Sequence, residues 1–175
     1  MHWRRATSSA ARGRGHLRRL LHRYGDFNPH LAMINAQLGK QVPERIFVPV
    51  GDGCIIAGIY KGWEELLQLG IIFTMPQIIA VQAEGSTNLV NNLDNAEFRA
   101  AEPDTIADSI SVKVPRNYYM AKSYIKKYAG DVAIVSDAEI QEAAANLAKE
   151  SGIFSEPAAA SAYAGYCKYR QSKKI

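Results

Sequence analysis

The sequence has little of several features that define large classes of proteins. It contains two cysteines in 175 residues, Cys54 and Cys167, which are too few and too far apart for a disulfide framework or a zinc site. No stretch approaches the ~18 consecutive apolar residues that a membrane span requires. We therefore expect no metal site and no membrane partner. The sequence favours a soluble protein of a reducing compartment, which we take to be the cytoplasm.

Acidic residues are absent from the first 25 positions, which carry seven arginines. The rest of the chain carries 14 basic and 17 acidic residues, so the net charge of +4 arises entirely in residues 1–25. The body lacks the excess of basic residues of a nucleic-acid binder, and we expect no nucleic-acid partner. Residues 1–25 have the composition of an organelle transit peptide, which would place the protein in an organelle, but a disordered basic tail or a misassigned translation start fits equally. We separate them from a domain at 26–175.

Apolar periodicity predicts strands alternating with helices in that domain. The predicted strands are 46–50, 78–82 and 132–135, and the predicted helices are 30–39, 54–69, 117–128, 136–152 and 156–169. Ser136 and Glu139 have the spacing of a capping box at the start of one helix. The alanine-rich last helix is narrow enough to pack closely against a neighbour or a cofactor. The polar segment 86–104 is typical of a mobile surface excursion with a weak helix near 89–93.

This alternation predicts an α/β fold with three layers, in which a mostly parallel sheet carries helices on both faces. In such sheets ligands bind beyond the carboxyl ends of the strands. The run RIFVPVGDGCIIAGIYKG (45–62) breaks at such an end and continues as a helix. Glycines there allow close approach of an anion to the free N–H groups at the start of the helix, which suits a phosphate. A tight turn between strand and helix also requires glycine for steric reasons alone.

Five segments, the glycine turn among them, indicate which phosphorylated ligand the turn would bind, because they occur in a characteristic order. They are VPVGDGCIIAG (48–58) with YKG (60–62), VQAEGS (81–86), TIADSI (105–110) with PRN (115–117), VSD (135–137) and GIFSEPAAA (152–160). Together they resemble threonine synthase and its close relatives among the fold type II pyridoxal-phosphate enzymes, over about residues 43–169. The resemblance implies the second half of the large domain of such an enzyme, with pyridoxal 5'-phosphate as the cofactor.

The resemblance also implies roles for individual positions. The turn would cradle the cofactor phosphate with the main chain of Gly51, Asp52, Gly53, Cys54 and Ile55. A carboxylate repels a phosphate, so we expect Asp52 to cap the following helix with its side-chain oxygen. The further candidates for lining the site are Glu84, Ser86, Asp108, Ser109 and Glu156. The parent reaction converts O-phosphohomoserine, a small amino-acid phosphate, and water into threonine and phosphate.

A lysine that matches the family's Schiff-base segment is missing from the sequence. Only Lys40 precedes the turn, and it does not fit the motif. We therefore predict no catalytic residue in this chain, a fragment that is inactive alone, and a complementary chain or a homo-oligomer as its partner. The alternatives are a noncatalytic module that binds a phosphorylated ligand, and a related pyridoxal-phosphate lyase such as threonine dehydratase or diaminopropionate ammonia-lyase.

Overall fold

The computed structural model describes residues 41–173, which form an α/β unit. The regular elements follow the order β1 (Arg45–Pro49), α1 (Cys54–Gln68), β2 (Gln77–Ala83), α2 (Tyr118–Lys127), β3 (Asp131–Val135), α3 (Asp137–Ser151) and α4 (Pro157–Lys173). Short 3-10 helices occur at Val90–Asn92 and Asp108–Ile110. The strands and helices predicted within this range are confirmed, with ends that shift by up to four residues. The basic segment 1–25 and the predicted helix at 30–39 lie outside the described residues.

The three strands form one parallel sheet in the order β1-β2-β3. In its register, Ile46 of β1 is paired with Ile78, and Ile79 of β2 is paired with Asp131. The central strand β2 is buried from Ile78 to its end, as a strand covered on both faces must be. Because the strands are parallel, the segments that follow β1 and β2 leave the sheet at the same edge.

Helices cover both faces of this sheet, which confirms the predicted three layers. On one face α1 and α2 pack against β1 and β2, with Tyr60 and Trp63 of α1 fully buried. On the other face α3 and α4 pack against β2 and β3 around Ile140 and Ala160. A Cβ atom at Gly165 of α4 would lie 2.6 Å from a methyl group of Val81, so this helix lies unusually close to the sheet. The predicted close packing of the last helix is therefore confirmed.

The start of α3 is fixed by local hydrogen bonds that the sequence predicts. The hydroxyl of Ser136 accepts from the N–H of Glu139 at 3.2 Å, and the Glu139 carboxylate accepts from the N–H of Ser136 at 2.6 Å. The predicted capping box is thus confirmed. The helix ends at Gly152, whose φ of 71° is the left-handed conformation typical of such a stop.

The predicted surface segment 86–104 is exposed over most of 94–104, and the weak helix predicted near 89–93 is present as the 3-10 helix Val90–Asn92. The segment is nevertheless anchored, because two of its asparagines are buried. The side-chain amide of Asn88 donates to the carbonyls of Ala101 at 2.8 Å and Val112 at 3.0 Å. The side-chain amide of Asn92 donates to the carbonyl of Arg99. The side-chain oxygen of Asn92 accepts from the N–H of Arg99 at 2.7 Å. Asparagine side chains therefore satisfy the hydrogen-bonding groups of the main chain here in place of regular secondary structure.

Within the described range, every helix is too short or too polar to cross a membrane.

Candidate functional site

The turn between β1 and α1 leaves main-chain donors free at the carboxyl edge of the sheet. Gly53 has a φ of 82° and precedes the first helical residue, Cys54. The first hydrogen bond of α1 runs from the N–H of Ala57 to the carbonyl of Gly53, at 3.1 Å. Within the described range, no group accepts from the N–H groups of residues 53–56. These four donors and the helix dipole make the turn attractive to an anion.

A cavity of about 390 Å³ borders this turn. That volume lies in the range of pockets that hold small molecules. Three parts of the chain line it, namely the turn, the segment around Ser109 and the start of α4. The lining residues are Pro49, Gly51, Asp52, Gly53, Cys54, Ile55, Ile56, Ser109, Ile110, Glu156, Ala158 and Ala159. All five residues that the sequence assigns to the cofactor phosphate thus face one cavity.

The segment 109–112 forms a wall that packs directly against the turn. A Cβ atom at Gly51 would lie 2.9 Å from the Cα atom of Ile110 and 3.2 Å from the carbonyl oxygen of Ser109. Contacts this short to main-chain atoms require glycine at this position. Gly51 therefore has a packing role in addition to allowing an anion to approach.

Two side chains behind the cavity anchor this wall and the segment before it. The hydroxyl of Ser86 donates to the carbonyl of Ile110 at 3.0 Å and accepts from the N–H of Val112 at 3.1 Å. Asp137, at the start of α3, accepts from the hydroxyl of Thr105 at 2.5 Å. The sequence indicates Asp137 only as part of a matching motif, and nothing local reveals its bond to a residue 32 positions earlier.

The structure separates the other predicted site residues into two groups. Ser109 and Glu156 both line the cavity, and the hydroxyl of Ser109 lies 3.5 Å from a carboxylate oxygen of Glu156. Glu84 and Asp108 are exposed and lie outside the cavity lining, and Ser86 is buried behind the wall. The fold thus brings Ser109 and Glu156 to the glycine turn and does not bring Glu84, Ser86 or Asp108 there.

The predicted capping role of Asp52 is wrong, because the N-cap of α1 is Gly53 and no side chain caps this helix. One carboxylate oxygen of Asp52 accepts from the N–H of Arg116 at 3.1 Å, and the other lies 3.5 Å from the Arg116 guanidinium. The main-chain carbonyl of Asp52 accepts from the N–H of Asn117 at 2.9 Å. Residues 116 and 117, just before α2, supply these donors. Nothing in the sequence near Asp52 predicts this contact. The Arg116 side chain is 86% exposed, so this ion pair is weak.

Gln82 is a buried residue beside the site whose role the sequence does not predict. It lies in β2, and its side-chain nitrogen donates to the carbonyl of Val50, directly before the turn, at 2.9 Å. Its side-chain oxygen accepts from the N–H of Val90, also at 2.9 Å. The signal available in the sequence is a glutamine inside the strand QIIAVQA, whose only other polar residue is Gln77 at its start.

The lining residues fit a phosphorylated small molecule with a largely apolar body. Free main-chain N–H groups suit the phosphate, and Ile56, Ala158 and Ala159 offer an apolar surface for a ring. Within the described range, no lysine or arginine lines the cavity. Asp52 and Glu156 add negative charge, so the phosphate would depend on the main-chain donors. The described lining residues therefore fit pyridoxal phosphate.

A parallel α/β sheet with a glycine-rich anion turn at its carboxyl edge defines a domain of the class that binds phosphorylated cofactors. The sequence matches the pyridoxal-phosphate dependent enzyme family over residues 28–175, and the chain belongs to that family. The cofactor predicted from the resemblance is thereby confirmed as that of the family.

Individual relatives are similar to this chain over most of its length. The threonine synthases of Methanosarcina acetivorans and Methanocaldococcus jannaschii are 38% and 39% identical to it over 135 and 137 residues. Each match covers 75% of this chain and 33% of the relative, so the chain spans about a third of the length of these relatives. The processed form of threonine deaminase isoform 2 from Solanum lycopersicum superimposes with a TM-score of 0.69 at 25% identity, covering 83% of this chain and 40% of the deaminase. The predicted resemblance to threonine synthase is confirmed.

Proposed function

We propose that this chain is the part of a threonine synthase-like enzyme that holds the phosphate of pyridoxal phosphate. The observation that carries the proposal is the set of free N–H groups at residues 53–56, which begin a helix beside a cavity of about 390 Å³. Bound pyridoxal phosphate supplies an electron sink for chemistry on amino acids. The residues of this chain bind its phosphate, orient it and give its ring an apolar surface.

The parent reaction in this proposal is the conversion of O-phosphohomoserine and water into threonine and phosphate. The names of the relatives support it, since identity to two threonine synthases is 38–39% and identity to the threonine deaminase is 25%. That chemistry needs a lysine amine at the cofactor. Within the described range, no lysine lines the cavity. Our proposal is that the 175-residue chain by itself binds the cofactor noncovalently and does not catalyse.

Equilibrium titration of the 175-residue chain with pyridoxal phosphate tests this function. We expect saturable binding of one cofactor per chain, displacement by inorganic phosphate, and no stoichiometric adduct on a lysine after borohydride reduction. Absence of saturable binding would contradict the phosphate site. A stoichiometric adduct on one lysine, located by peptide mass spectrometry, would contradict the noncovalent mode.

A pair of substitutions at Cys54 tests the main-chain donors themselves. Cys54 is the first residue of α1, where proline breaks no hydrogen bond of the helix but has no N–H to donate. Because proline disfavours the ψ of −1° at Gly53, urea unfolding of both variants checks that the turn is retained. We expect Cys54→Pro to weaken pyridoxal phosphate binding at least tenfold, because a hydrogen bond to a charged group contributes about 1.5–3 kcal/mol. Cys54→Ala is the matched control, which loses the thiol and keeps the N–H, and it retains the native affinity. Equal affinities for the two variants would refute binding by this N–H.

A further inference from the structure

The Gln82 side chain has one fixed orientation behind the glycine turn. It is 1% exposed, and both ends of its amide are used. The nitrogen donates to the carbonyl of Val50 and the oxygen accepts from the N–H of Val90, each at 2.9 Å. Rotating the amide by half a turn would set donor against donor and acceptor against acceptor. Because unpaired buried groups are costly, the Val50 carbonyl is held towards Gln82.

This bond controls the peptide group that joins Val50 to Gly51. Every peptide bond within the described range is trans, so the carbonyl and the N–H of one peptide group point in opposite directions. Holding the Val50 carbonyl towards Gln82 therefore turns the N–H of Gly51 away from Gln82. Gly51 borders the cavity, and within the described range its N–H has no acceptor.

Gln82 bonds to the main chain where the backbone hydrogen bonds between β1 and β2 end. The N–H of Val50 still donates to the carbonyl of Val81 at 2.8 Å, as in a strand. The next group along the chain, the Val50 carbonyl, takes its donor from a side chain instead. Gly51 has no Cβ atom to restrict its rotation, so this peptide group needs such a bond to keep one orientation.

We propose that Gln82 is a positioning residue, which aims the N–H of Gly51 at the cofactor phosphate. The inference rests on the proposed function, because it assumes that a phosphate occupies the cavity at the turn. Gln82 is outside the residues that line the cavity, so its effect passes through the peptide group it holds.

The test compares pyridoxal phosphate with pyridoxal, which has the same ring and no phosphate. Gln82→Glu preserves the size and the oxygen that Val90 uses, and once ionised it has no donor for Val50. Burial raises the pKa of such a carboxyl, and its protonated form would still donate to Val50, so binding is compared at increasing pH with the native chain as reference. We expect the preference for pyridoxal phosphate, measured as the ratio of the two dissociation constants, to fall about tenfold. Binding of pyridoxal itself should change little. A simple loss of fold would weaken both compounds together.

Asn92→Asp is the matched control, since Asn92 is also 1% exposed and also donates from its amide to main-chain carbonyls. The control loses stability and retains the native preference. A native preference in Gln82→Glu, or an equal loss in Asn92→Asp, overturns the inference and leaves the proposed function standing. A native chain that binds neither compound overturns both.

If Gln82→Glu fails to fold, nuclear magnetic resonance of the native chain tests the inference instead. Inorganic phosphate added to the isotope-labelled chain should shift the amide proton of Gly51 together with those of residues 53–56. Shifts at residues 53–56 without one at Gly51 would overturn the inference, because the phosphate would then be bound without the donor that Gln82 orients.

Discussion

Replacing Gly51 by alanine is the sharpest test of the site geometry. The added methyl group would lie 2.9 Å from the Cα atom of Ile110, 3.1 Å from a methyl group of Val112 and 3.2 Å from the carbonyl oxygen of Ser109. Two of these three atoms belong to the main chain and cannot rotate away. The wall at 109–112 must therefore move, or the turn must.

The expected cost follows from how this wall is held. Nonbonded carbon atoms prefer separations of about 3.5–4.0 Å, so the wall must shift by roughly half an ångström. Ser86 anchors it with two hydrogen bonds of 3.0 and 3.1 Å that resist this movement. Overpacking of this kind costs about 1–3 kcal/mol of the free energy of unfolding. Because the displaced wall borders the cavity, we also expect about a tenfold loss of affinity for pyridoxal phosphate.

Gly70→Ala is the control for this experiment. Gly70 has a φ of 65°, and a Cβ atom there would have no other atom within 4 Å. Alanine costs about 1–2 kcal/mol in that left-handed conformation without any steric contact. Urea unfolding followed by circular dichroism should thus show a loss of stability in both variants, whereas cofactor titration should show weaker binding in Gly51→Ala alone. Native affinity in Gly51→Ala, or an equal loss in Gly70→Ala, would refute the reasoning.

Three further predictions concern the fold as a whole. Ser136→Ala removes half of the capping box and should lower the free energy of unfolding by about 1 kcal/mol in urea titrations, and an unchanged midpoint would count against it. Burial opposes ionisation of Glu64, but hydrogen bonds from Lys127 and Tyr128 outweigh it and hold its pKa below the ordinary value of 4.5. This carboxylate therefore stabilises the fold above pH 4.5, and the stabilisation disappears as the pH falls through the lowered pKa. Glu64→Gln should flatten the acid side of the stability profile, and a profile identical to the native one would contradict this. Phe73 and Phe154, 88% and 90% exposed, predict self-association or aggregation in sedimentation velocity, which a monomer at every concentration would disprove.

The asparagine segment and the capping box show why some local features can be read from the sequence and others cannot. The capping box needs only two residues three positions apart, so its geometry is complete within one helical turn. Asn88 reaches the carbonyls of Ala101 and Val112, which are 13 and 24 positions away. A polar segment with such distant partners has the same composition as an exposed loop, and only the partners distinguish the two.

The sequence by itself determined the alternation of strands and helices, the glycine turn and the family. Helix and strand periods arise because each element buries one face, and a tight turn needs glycine wherever it occurs. Tertiary structure alone decided that Asp52 is paired with Arg116, 64 positions away, and that Gln82 holds the peptide group before the turn. It also brought Ser109 and Glu156, 47 positions apart, to one cavity. These contacts depend on how the elements pack together, and hydrophobic periodicity specifies which face of an element is buried but not which residue of another element lies against it.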